Sequence, residues 1–253
     1  MKIFLDFSDD RTKTLKTFFK KYKTFSITKE NILLAEDNDL FVYPPSKKWS
    51  QDELLSLPKN IMLFCGKVDN CFEKILKEKN IKYINFLDNE IFAIKNANLT
   101  AEAVLAIIIS NTKKSIYENN ILVLGYGRIT KSLCLLLSKL GVKFSIATFN
   151  ENSFSQSYTL NDKNYFKYDF LKDIKKFDCI INTRPEKYFD EEKIKLIPKN
   201  CLFVETASTK CLDENKAKHF NYYFAPALPK KYSSISASKL LYEQILGEIK
   251  WKT

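Results

Sequence analysis

The stretch Ile121-Leu-Val-Leu-Gly125-Tyr126-Gly127-Arg128 limits the folds open to this chain more than any other. Four consecutive apolar residues suit a strand covered on both faces, as in a parallel sheet. Residues 128–140 then place Ile129, Leu133, Leu136, Leu137 and Leu140 at helical spacing, with Gly141 as the stop signal. A strand that enters a helix through Gly-x-Gly is the setting in which two glycines carry chemical meaning. Gly125 permits a tight turn, Gly127 lets the backbone approach a pyrophosphate, and the helix start offers free N–H groups and a positive dipole end to an anion. Tyr126 and Ile129 flank the same turn. The third position of the fingerprint is Thr130 rather than glycine, which predicts a slightly wider gap between strand and helix. A βαβ unit with a glycine turn and no ligand is the alternative.

The rest of the chain repeats the alternation of strand and helix. Strands are expected at 2–6, 40–43, 60–65, 81–86, 144–148, 178–183, 202–206 and 222–224, with helices at 12–22, 71–79 and 236–251. Thr100 reads as an N-cap and Glu102 as a first-turn acid of a helix over 100–112, apolar on most sides and so buried between two layers. The fold class expected is α/β, with two doubly wound parallel-sheet domains, the C-terminal one of Rossmann type. The expected division is 1–98, an interdomain helix and linker over 99–118, the dinucleotide domain over 119–233, and a terminal helix over 234–253 that returns to the first domain.

Composition excludes several classes. Hydrophobic residues make up 45% of 253, enough for an ordinary core. The longest apolar run, near residues 104–109, is too short to span a bilayer, and the first residues turn acidic at once, so a cytoplasmic protein with no membrane association is expected. The six cysteines show no Cys-x-x-Cys pair and mostly sit in apolar runs, as small hydrophobes rather than metal ligands. The net charge of +11 comes from lysines scattered among acids, with no basic run to track a nucleic acid, but it would attract an anionic substrate or cofactor phosphates.

Where the second strand ends, an acid would select the ribose hydroxyls of NAD; the sequence there is Ala147-Thr148-Phe149-Asn150, then Glu151. Neutral Thr148 and Asn150 would not repel a 2′-phosphate, so the cofactor is NADP or NAD with a lean to NADP. Asn182-Thr183-Arg184-Pro185 and Thr206-Ala207-Ser208 follow strands directly, where a crevice is lined, although turn and capping chemistry explains such residues equally well. His219 is the sole histidine and lies in a Lys-rich stretch read as helical, a surface residue rather than a general base.

Several segments in order resemble one family, the A subunits of bacterial dipicolinate synthase. They are Asn96-Ala-Asn-Leu-Thr100-Ala-Glu102-Ala, Asn111-Thr112, the glycine turn, Ile180-Ile-Asn182-Thr183-Arg184-Pro185, Ala207-Ser208 and Ala225-Pro226-Ala227-Leu228-Pro229, with weaker echoes at Ser8-Asp9-Asp10-Arg11 and Phe64-Cys65-Gly66. The resemblance implies oxidation of a dihydrodipicolinate-type ring to pyridine-2,6-dicarboxylate with a nicotinamide cofactor, in sporulating bacteria, in company with a flavoprotein-like B subunit. It places Gly125, Gly127 and Arg128 on the cofactor, with Asn182, Thr183, Pro185, Ala207, Ser208 and Pro226 bordering it. Arg11, Asn96, Thr100 and Glu102 would face the substrate, Arg11 pairing its carboxylates and Glu102 standing as candidate proton acceptor. The chain departs from the family at Thr130, at Phe149 (where the family tends to carry Arg), at Leu99 and at Ser234-Ile235. The alternatives are a 2-hydroxyacid dehydrogenase and a non-catalytic nucleotide-binding subunit. Whether the chain forms a homo-oligomer is left open.

Overall fold

The computed structural model describes residues 1–250, so the end of the terminal helix expected at Trp251 lies outside the described residues. The first strands and helices are β1 (Ile3–Leu5), α1 (Asp10–Leu15), β2 (Thr24–Ser26), α2 (Lys29–Ile32), β3 (Leu40–Val42), α3 (Gln51–Ser56), β4 (Met62–Cys65), α4 (Glu73–Glu78), β5 (Lys82–Asn85) and α5 (Glu90–Asn111). They are followed by β6 (Ile121–Leu124), α6 (Arg128–Lys139), β7 (Phe144–Thr148), α7 (Glu151–Ser157), β8 (Asn164–Phe166), β9 (Cys179–Asn182), α8 (Glu191–Leu196), β10 (Leu202–Glu205), β11 (Asn221–Phe224), α9 (Pro229–Tyr232) and α10 (Ser234–Lys250). Two compact units result: Met1–Asn96 with Pro229–Thr253, and Ala97–Leu228.

In the first unit all strands pair in parallel, in the order β2-β1-β3-β4-β5. Successive side chains go to opposite faces. Ile3, Leu5, Leu40, Val42 and Phe64 meet Leu241 and Ile245 of α10 on one face, and Phe4, Phe41, Leu63 and Cys65 meet Leu54 and Leu76 on the other. This two-sided burial is why the strands read as unbroken apolar runs. The helix expected over 12–22 is only α1. Beyond it the Thr17 and Phe18 amides bond to the Thr14 and Leu15 carbonyls, three residues back, in a run of turns that carries Phe19 into the core.

In the second unit the strand order is β8-β7-β6-β9-β10-β11, again parallel throughout. The chain winds outward from β6 through β7 to β8, then returns to β9 beside β6 and winds the other way. In open sheets of this kind a ligand crevice is expected at such a reversal, here the carboxyl ends of β6 and β9. Ile121 and Val123 face a core shared with α5 and α6, while Leu122 and Leu124 face Phe170, Phe203 and Cys211.

Two expectations about helices are corrected. The long helix begins at Glu90, where Asn89 Oδ1 accepts from the Phe92 amide at 3.0 Å, so Thr100 is an interior residue rather than an N-cap and Glu102 is not in a first turn. Buried Phe92, Ala93 and Ala97 extend the helix through a polar stretch the apolar pattern misses. By length and a mean hydropathy of 1.5, α5 is the one described helix able to cross a bilayer, yet Ala101, Val104, Ile107 and Ile108 form part of the second unit's core. Secondly, residues 206–220, which include the Lys-rich stretch around His219 read as helical, form turns and bends rather than a helix.

Candidate functional site

The turn between β6 and α6 is built around Gly125. Its φ of +110° is a conformation that L side chains rarely adopt, and a Cβ there would fall 2.5 Å from Thr183 Oγ1 and 3.0 Å from Arg184 Cγ. Thr183 Oγ1 donates to the Leu124 carbonyl at 2.9 Å and lies 2.9 Å from Thr130 Oγ1, so the Thr130 hydroxyl is the donor in that second bond. Thr130 is fully buried. The residue in the third glycine's place therefore ties the first turn of α6 to the end of β9 instead of only spacing helix from strand. Tyr126 is drawn aside by its hydroxyl, which donates to the Gln156 carbonyl at 2.7 Å, with Lys131 Nζ 4.8 Å from its ring centroid.

Gly127 answers to a different constraint. It is the N-cap of α6 with ordinary dihedrals (φ −84°, ψ −172°), and a Cβ built on it meets nothing within 4 Å. Nothing in the described fold demands glycine there. The 12-residue helix α6 thus starts with no side-chain cap from Gly127 and with open space where a side chain there would stand. Arg128 and Ile129 begin that helix, Arg128 exposed and Ile129 half-buried.

At the end of β7, Thr148 is buried with its hydroxyl unpartnered, Phe149 is half-buried, and Asn150 accepts from the Ser153 amide at 2.8 Å to cap α7. The Asn150 side chain is thus engaged in holding its helix. Arg184, which sequence reasoning did not single out, lays its guanidinium 3.7 Å from the Phe149 ring centroid. The sequence showed it only as part of Asn182-Thr183-Arg184-Pro185, the motif that follows β9, and gave it no role of its own.

Asn182 is fully buried, and its side chain is consumed internally. Its Nδ2 donates to Glu205 Oε1 and, at 2.8 Å, to the Arg184 carbonyl; its Oδ1 accepts from the Tyr188 hydroxyl and from the Arg184 amide at 3.2 Å. Thr206 Oγ1 donates to the Asn182 carbonyl at 2.9 Å. Glu205, also fully buried, accepts from the Cys211 amide at 2.9 Å and organises the loop after β10. Burial raises its carboxyl above the usual range despite those two donors. Asn182 and Thr183 therefore tie the strand ends together rather than offering free side chains. Ala207 is buried behind exposed Ser208, and Pro185 and Pro226 are exposed.

The residues expected to meet substrate divide between the units. Arg11 follows β1 in the first unit and is 3% exposed. Its Nε and Nη2 each donate to Asp9 at 2.8 Å, and Nη2 also reaches Ser46 Oγ at 3.0 Å. Its charge is already matched. Burial alone would raise the Asp9 carboxyl, but the Arg11 guanidinium and amide outweigh it and hold the group below its usual value. Asn96 is half-buried on α5; Thr100 is buried and Glu102 exposed on the same helix in the second unit. His219 lies in a turn just before β11, at the amino end of the sheet, 3.2 Å from the Ile197 carbonyl. The helical stretch expected around it is absent because Ala217 and Phe220 are carried into the core by turns.

No family model matches the sequence. The A subunit of dipicolinate synthase from Bacillus subtilis is 21% identical over 158 residues, 62% of this chain and 53% of that protein, so the matched stretch spans about half the length of that curated relative. The crystal structure of the dipicolinate synthase A subunit from Bacillus halodurans superposes with a TM-score of 0.81 at 17% identity, covering 97% of this chain and 96% of that one. An NAD-dependent formate dehydrogenase from Staphylococcus aureus in complex with NAD gives a TM-score of 0.63 at 14% identity, covering 99% and 95%. The resemblance and the α/β fold class read from the motifs are borne out, and the two parallel sheets match the two-domain Rossmann-like architecture of those structures.

Proposed function

We propose, from a chain with the fold and the motif order of a dipicolinate synthase A subunit, that it is a cytoplasmic oxidoreductase of that kind. It would oxidise a dihydrodipicolinate-type ring to pyridine-2,6-dicarboxylate with NADP or NAD, in company with a flavoprotein-like B subunit. The observation that carries this is Gly127: a glycine the backbone does not require, facing open space at the start of α6 beside a turn the backbone does strain to make.

The dinucleotide, when bound, supplies a two-electron acceptor. The chain's own part is placement. Gly125 makes the turn, Gly127 and the first amides of α6 take the diphosphate, and Tyr126, Arg128 and Ile129 border it. Thr148 and Phe149 border the ribose end, and Ala207, Ser208 and Pro226 the other half. The Thr130–Thr183–Leu124 chain of hydrogen bonds holds this frame rigid, so orientation needs little ordering at the moment of binding. Ring aromatisation drives the oxidation, which leaves the protein to pair the ring carboxylates and accept a proton. Glu102, an exposed carboxylate on α5, is the candidate acceptor. Arg11 would meet a substrate carboxylate only with Asp9 displaced; in the present geometry it secures the loop after β1. The 2-hydroxyacid dehydrogenase reading is disfavoured because the sole histidine stands at the wrong end of its sheet.

Turnover of dihydrodipicolinate with NADP or NAD, followed by reduced-nicotinamide absorbance with and without a B subunit, tests the proposal. Appearance of reduced cofactor supports it. Tight cofactor binding with no turnover in either setting would mark a non-catalytic nucleotide-binding subunit instead.

A further inference from the structure

We propose that Arg184 selects NADP over NAD by binding the ribose 2′-phosphate, an inference that rests on the nucleotide reading of this crevice. The argument is one of path and pairing. Arg184 leaves the chain two residues after β9 ends, and β9, β6 and β7 are adjacent in the sheet. Its Cγ and Cδ pass 3.0 and 3.7 Å from where a Cβ of Gly125 would stand, so the side chain crosses the glycine turn at the end of β6. Its guanidinium comes to rest 3.7 Å from the Phe149 ring centroid, immediately after β7, with Tyr188 at 5.2 Å. One side chain thus spans the carboxyl ends of three strands and delivers a positive charge to the point where a Rossmann sheet chooses its ribose.

That point holds no acid. Thr148 is buried, Phe149 is apolar, Asn150 is spent on capping α7, and Glu151 is already an exposed residue of that helix. A carboxylate there would hydrogen-bond the ribose hydroxyls of NAD and repel a phosphate. Two polar atoms at this end also lack partners: Thr148 Oγ1 and Arg184 Nη1 are buried with no acceptor or donor among the described residues. Arg184 meets one carboxylate, Glu186, through Nε at 3.0 Å, and Glu186 is 58% exposed. The Arg184 side chain is 23% exposed, but with Glu186 open to water the pair is screened and can give way. The Phe149 ring restrains the position of the guanidinium without neutralising it, and a planar donor fork suits a phosphate better than an ammonium does.

Calorimetric titration of the full chain with NADP and with NAD tests this. The wild type is expected to bind NADP about tenfold or more tightly than NAD, the value of one charge-assisted hydrogen bond. Arg184→Ala should remove most of that difference while changing NAD affinity less than about threefold, and Arg184→Lys should restore part of it. Glu186→Gln, which alters only an exposed residue, should tighten NADP and leave NAD unchanged, and so reads the same point if Arg184→Ala unfolds. Equal affinity of the wild type for the two cofactors, or equal loss of both in Arg184→Ala, overturns the assignment while the dinucleotide reading stands. Binding of neither cofactor to the wild type overturns both.

Discussion

A methyl group on Gly125 would fall 2.5 Å from Thr183 Oγ1 at a φ of +110°, whereas one on Gly127 would touch nothing. The first glycine is therefore a requirement of the fold, whereas the fold makes no such demand at the second, where the proposed diphosphate would. Gly125→Ala should lower stability by about 1–3 kcal/mol, read by urea denaturation, from strain and from disturbing the Thr183 hydroxyl. Asp9 is the other residue with a sharp energetic signature. Asp9→Asn leaves the Arg11 guanidinium buried without its counter-ion and should cost about 3–5 kcal/mol at neutral pH. Because the folded state holds the Asp9 carboxyl below its reference value of 3.8, its contribution is present above that pH and is lost as pH falls through the depressed value. The gap between wild type and Asp9→Asn should therefore shrink in acid; a gap constant with pH would contradict the pairing. The turn role of Gly125 was legible because a Gly-x-Gly between strand and helix has a sequence signature. The partners of Arg11, Asn182 and Arg184 were not, because each pairing depends on where strand ends and loops come together.

Helices and strands were legible in proportion to their apolar period. The continuous runs of β4, β6, β9 and β10 announce strands buried on both faces, and α6 shows its stripe directly. β2 and β8 escaped notice because each has three half-buried residues at the edge of its sheet and no period to read. The start of α5 was hidden for another reason. Its first ten residues include Lys95, Asn96 and Asn98, which interrupt the apolar pattern, although Asn89 before Glu90 was a capping signal in plain view. The terminal helix offers a test at this scale. Leu241 and Ile245 of α10 are buried against Leu15 and Phe19 in the first unit. Ile245→Ala should cost about 2–5 kcal/mol in chemical denaturation, as a core cavity does. A loss below about 0.5 kcal/mol, typical of surface changes, would show that α10 is not part of that core.

For the molecule as a whole, two parallel sheets built by the same alternation carry different burdens. The first unit buries Arg11 in an internal ion pair, and the second leaves space beside Gly127 at the start of α6 and pairs Arg184 with an exposed carboxylate. The strand order of the second unit, reversing between β6 and β9, is what brings the glycine turn, Phe149 and Arg184 to one edge. Sequence alone foretold the alternation and hence the two sheets; it could not foretell which side chains the reversal would bring together. The claim on which the rest depends is that a dinucleotide diphosphate lies against the start of α6. Calorimetric titration of wild type and Gly127→Val with NADP tests it most directly, with thermal unfolding of both proteins alongside. Since a Cβ at Gly127 meets nothing within 4 Å, the variant should unfold within about 1 kcal/mol of wild type yet lose at least about tenfold in affinity. A folded Gly127→Val protein that binds NADP as wild type does would contradict the account.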